Sequence, residues 1–78
     1  MKVSFEMTDT FGGESNYSWV KRVEHDLPEK TTDRAIVRRA KAWAGLTGHR
    51  CTVDKAGGDM ITIRPRGICE IVFITFDY

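Results

Sequence analysis

Ile68-Cys69-Glu70-Ile71-Val72-Phe73-Ile74-Thr75-Phe76 is the stretch on which the fold turns. It is nearly continuous in apolar and β-branched side chains, and it is too short for a helix that is hydrophobic all round. Read as a strand, it puts Cys69, Ile71 and Phe73 on one face. Ile68, Val72, Ile74 and Phe76 fall on the other. A strand that is apolar on both faces calls for cover on both.

Working outward from it, Gly67 and Pro65 close off an earlier strand, Met60–Arg64. Ala56-Gly57-Gly58-Asp59 reads as a two-glycine hairpin turn, and residues 49–55 form the strand before it. At the other end of the chain, Val3, Phe5 and Met7 alternate with Lys2, Ser4, Glu6 and Thr8, the period of a half-buried strand. Asp9–Asn16 reads as a glycine-bearing loop. Residues 17–27 resume the alternation, with Tyr17, Trp19, Val23 and Leu27 on one face and Lys21 and His25 interrupting it. These two strands form a hairpin.

Between the two halves, Pro28 ends a strand and Thr31 or Thr32 supplies a helix N-cap. Asp33 places negative charge in the first turn. The helix runs from Asp33 to Ala44, with Gly45 as its stop. Ile36, Ala40, Trp43 and Ala44 make its apolar stripe, widened by Val37. The order is β-β-α-β-β-β, an α+β antiparallel sheet with one helix packed on one face, and residues 1–78 form a single domain.

One helix covers only one face of such a sheet. The second face must meet solvent, a second copy or a partner, so a homodimer through the uncovered face, or a partner-binding face there, is expected.

The 78 residues carry 41% hydrophobic and 29% charged side chains, ordinary values for a folded domain. The net charge of +1 hides an asymmetry. Residues 31–50 hold Arg34, Arg38, Arg39, Lys41 and Arg50 against Asp33 alone. Arg34, Arg38 and Lys41 are spaced i, i+4 and i+7, forming one basic stripe on the helix.

No secretory h-region or membrane-length apolar run is present. Cys51 and Cys69 form no C-x-x-C pair, so they read as reduced thiols. A cytoplasmic protein without a membrane partner is expected.

Candidate chemistry is sparse. Gly12-Gly13 and Gly57-Gly58 fit turns better than a phosphate loop. His25, His49, Cys51 and Cys69 lack the paired spacing of a structural zinc site, so neither metal nor cofactor is expected. The carboxylates are scattered, and Glu70, which interrupts an apolar face, is expected to pair with Arg64 or Arg66. No nucleophile has a base and an orienting group beside it, so the chain does not read as an enzyme.

Binding is the better reading. Arg34, Arg38, Arg39 and Lys41 suit an anionic partner, nucleic acid included, although a solvated basic helix face needs no partner. Phe11, at a glycine-rich hairpin tip, suits a pocket on a protein partner.

Asp9–Val20, Arg38–Ala42 with Gly45–Gly48, and Gly58–Ile61 together resemble a group of small proteins encoded by tailed bacteriophages and prophages. The resemblance covers most of the chain and carries no catalytic residues. It implies an accessory product in the cytoplasm of an infected bacterium. Such a protein would bind and modulate a host macromolecule, host defence of the CRISPR type included. The alternative is a nucleic-acid-binding protein using the basic helix stripe.

Overall fold

A computed structural model describes residues 1–11, 14–56 and 58–77, with all of their side chains except those of Ser18, Ala56 and Asp77. The order is β1 (Lys2–Phe11), β2 (Glu14–Asp26), α1 (Asp33–Trp43), β3 (Cys51–Ala56), β4 (Met60–Pro65) and β5 (Glu70–Asp77). All five strands lie in one antiparallel sheet ordered β2-β1-β5-β4-β3. The expected α+β architecture is what forms.

The doubly apolar strand β5 is the middle strand, hydrogen-bonded to β1 on one side and β4 on the other. Its register sets Val72, Ile74 and Phe76 opposite Met7, Phe5 and Val3. Ile63 and Ile61 of β4 continue the same rows. Directly opposed residues share a face, so these side chains form the floor on which α1 rests. Val3, Phe5, Ile63, Val72 and Ile74 are completely buried, with Ile36 and Ala40 of the helix above them. Each of the larger ones contributes about 1.5–3 kcal/mol by leaving water.

The helix ends as its sequence dictates. Thr32, rather than Thr31, is the N-cap, and its Oγ1 accepts from the Ala35 N–H at 3.2 Å. Thr31 instead donates its hydroxyl to the Pro28 carbonyl. At the far end Gly45 takes a left-handed φ of 73°. Its N–H goes to Ala42 O, and the Leu46 N–H goes to Lys41 O at 2.7 Å. This pair of bonds is the Schellman closure. It turns the chain so that Leu46 is buried in the core.

The helix crosses the sheet diagonally. Near its start, Asp33 pairs with Lys55 of β3 at 2.6 Å. At its end, Trp43 lies against Phe5 of β1 and under the ammonium of Lys21 of β2.

The segment expected as a loop, Asp9–Asn16, is mostly strand. Pairing continues through Thr10↔Ser15 and Phe11↔Glu14, leaving Gly12 and Gly13 outside the described residues. The irregularity lies elsewhere. Between Thr8↔Val20 and Thr10↔Ser15, four residues of β2 stand against Asp9 alone. Tyr17 takes a φ of 56° there. This excursion takes Tyr17 and Trp19 out of the core face assigned by their alternation, and both are exposed. Thr8 and Asn16 hold it in place. Thr8 donates its hydroxyl to the Trp19 carbonyl at 2.6 Å, and Asn16 donates to Asp9.

The face opposite the helix is less apolar than β5 alone suggests. Ile71 points there but is fully buried, as is Thr8 opposite it. Around them lie Ser4, Thr62, Thr75 and a Glu6–Arg22 ion pair. Val20, Phe73 and Met60 are among the apolar side chains on this face that a second copy would cover.

Candidate functional site

The basic stripe is assembled as its spacing implies, and it forms one bank of a trough. Arg34, Val37, Arg38 and Lys41 line a shallow depression of about 330 Å³ together with Thr47 and Gly48. A second depression of about 370 Å³ shares Arg34 and Val37 and adds Asp33, Val53, Lys55 and Ile61. Together they run along the flank of α1 that faces β3. The cause is the diagonal set of the helix, which leaves β3 without full cover. Val53 points to the helix side of the sheet and still remains 47% exposed.

The cations of this trough differ in their commitments. The Lys41 ammonium donates to the His49 carbonyl at 3.1 Å. Lys55 is paired with Asp33. Arg34 and Arg38 are exposed and form no ion pair with any described residue. Arg39 is also exposed but lines neither depression.

His49 and Arg50 serve the fold. The His49 ring nitrogen Nε2 meets the Arg66 carbonyl at 2.8 Å, and the Arg66 N–H donates to the Arg50 carbonyl. The Cys51 thiol donates to the His49 carbonyl. Cys51 and Cys69 are both free thiols. Among the described residues no three His, Cys, Asp or Glu side chains converge as a metal site. Gly57, one half of the second glycine pair, lies outside the described residues, while Gly58 takes the φ of 84° that a turn needs. Glu70, expected beside Arg64 or Arg66, stands opposite Asp9 instead.

A second set of exposed apolar side chains lies near the end of the β1–β2 hairpin. Phe11 is 81% exposed, and Tyr17, Trp19 and Val20 are exposed along the same end of the β1–β2 hairpin. Its sequence context leaves Phe11 open between an exposed anchor and a ring folded back over the sheet edge, and it is exposed. Tyr17 and Trp19 were not legible as exposed rings, because their alternation with Val23 reads as core.

Tyr17, Trp19 and Val20 lie on the edge strand β2, whereas Arg34 of α1 lies beside Val53 and Lys55 of the other edge strand, β3. The two arginines of the trough are therefore not interleaved with these aromatic rings, the arrangement that single-stranded nucleic acid favours. Among the described residues no helix is long and apolar enough to cross a membrane. No family model, curated protein or solved structure matches the chain.

Proposed function

We propose that this chain is a non-enzymatic binding protein that acts by occupying a surface on a host macromolecule, as an accessory product of phage type. A protein of host defence, such as a CRISPR component, is the target class this reading favours. The observation that carries it is the exposed group at the hairpin end, Phe11, Tyr17, Trp19 and Val20. Single exposed hydrophobic residues are ordinary. Several large ones gathered at one end of a hairpin have the composition of an interface anchor, where aromatic residues supply most of the energy.

The test is capture from bacterial lysate with and without nuclease, using the wild type and Phe11→Ala/Trp19→Ala. A protein retained after nuclease and lost in the double variant is expected. Capture that nuclease abolishes, or that the double variant leaves intact, would sink this reading.

The alternative is direct binding of nucleic acid through the helix. It is favoured by one observation, Arg34 and Arg38 on the trough without an ion pair among the described residues. It requires a gel shift at low salt that weakens steeply as salt is added and disappears in Arg34→Ala/Arg38→Ala.

A further inference from the structure

We propose that the open edge of β3, with the trough beside it, binds an extended acidic segment of a partner protein by strand addition. This surface is distinct from the hairpin end, so either can fail without the other.

The two edges of the sheet are not equivalent. An edge strand presents unpaired backbone groups and is a template for another strand unless something blunts it. The β2 edge is broken at one end by the Asn16–Trp19 excursion and the left-handed Tyr17, and is regular only over Val20–Asp26. The β3 edge has no such excursion among the described residues, and it is the edge beside the trough. It runs in unbroken register with β4, from Cys51↔Pro65 to Ala56↔Met60.

The ladder also says which groups are on offer. The Arg66 N–H bonds to the Arg50 carbonyl at 2.9 Å, so Arg50 and Arg66 are a hydrogen-bonded pair. In an antiparallel ladder such pairs alternate. Thr52 and Asp54 therefore turn their backbone groups inward to β4. Cys51, Val53 and Lys55 turn theirs outward. These three residues also have side chains on the helix side, since they oppose Pro65, Ile63 and Ile61. A strand added at this edge would set its own alternate side chains in the same row, over the trough.

The trough states the chemistry of those side chains. Its floor is Val53 and Ile61, with Val37 beside them on the helix, which suits apolar groups. Its bank carries Arg34 and Arg38, neither of which has a partner carboxylate among the described residues. The one acidic residue lining it, Asp33, is already paired with Lys55. Unmatched guanidinium groups beside a strand edge call for carboxylates on the incoming strand, where the bonds are charge-assisted and bidentate. Recognition by added strands takes affinity from the main chain and selectivity from alternate side chains.

The probe is a short fluorescein-labelled peptide alternating Glu and Val, read by anisotropy and by amide NMR of the labelled protein. A Lys–Val peptide and an oligothymidylate serve as comparisons. The Glu–Val peptide is expected to bind, with shifts concentrated at the amides of residues 51–56. Arg34→Glu/Arg38→Glu, at exposed positions, should weaken binding by at least about tenfold, a loss of ~1.4 kcal/mol. Val53→Pro removes one outward N–H without touching the ladder, and it should weaken binding while circular dichroism stays unchanged. Three results would overturn the proposal: no binding at millimolar peptide, equal binding of the Lys–Val peptide, or binding without shifts at β3. Preference for the oligothymidylate, with steep salt dependence, would assign the trough to nucleic acid instead.

Discussion

The rings of Phe5 and Trp43 stand 5.9 Å apart, tilted by 47°, and this contact fastens the C-terminal end of the helix to the sheet. Phe5 is completely buried on β1, and Trp43 is half-buried as the last residue of α1. Lys21 caps the indole from β2 with its ammonium 6.0 Å from the ring. Trp43→Ala removes the seam, and about 3 kcal/mol of stability is expected to go with it, the lower end for such truncations because one side of the ring is wet. Urea unfolding followed by circular dichroism measures this. A loss under about 1 kcal/mol would mean that Ile36 and Ala40 hold the helix without it.

The two neighbouring threonines at the helix start make a controlled pair. Thr32→Ala deletes the acceptor for the Ala35 N–H and should cost about 1 kcal/mol. Thr31→Ala loses only an exposed hydroxyl bond to Pro28 and should cost less. Equal costs by urea unfolding would show that the cap is not at Thr32.

At the other end, Gly45 has open space around its missing side chain, with nothing within 4 Å of an added Cβ. Its φ of 73° alone makes Gly45→Ala unfavourable. Roughly 1 kcal/mol is expected from that conformation, seen as a lower thermal midpoint. A neutral result would place the chain reversal in Leu46 burial and not in the left-handed turn.

Thr8 is buried with its hydroxyl on the Trp19 carbonyl. Thr8→Val keeps the shape and strands that carbonyl, at a cost of about 1–3 kcal/mol. Amide exchange should accelerate at Asn16–Val20 more than in β4. Uniform acceleration would show that Thr8 does not anchor the excursion.

Phe11→Ala is expected to leave stability unchanged within about 0.5 kcal/mol, as exposed substitutions do, while weakening capture of the protein partner. A large loss of stability would show that the ring is part of the core.

Much of this was legible along the chain because it is set by local pattern. Val3, Phe5 and Met7 face the core as their alternation requires, and Gly45 stops the helix where expected. The i, i+4, i+7 spacing of Arg34, Arg38 and Lys41 does put them on one bank. What stayed hidden depends on pairing between distant segments. Tyr17 and Trp19 keep perfect period with Val23 on paper, but an insertion of four residues against one is decided by register with β1. Val53 and Ile61 as the floor of the trough follow from a diagonal helix, which no spacing within α1 encodes. Ile71 shows the same limit. Its face followed from its parity, but its complete burial did not, because burial on that face comes from neighbours far away in the chain.

The strand that ends the described chain lies in the middle of the sheet. During synthesis the ribosome therefore delivers the keystone after the stones it joins. The β1–β2 hairpin and the β3–β4 hairpin emerge first, each with one raw edge that only β5 will seal. Native contacts of such long sequence separation form slowly, and unsealed edges are where nascent chains associate wrongly. The two halves are consequently joined only once residues 70–77 are available to pair with β1 and β4 together.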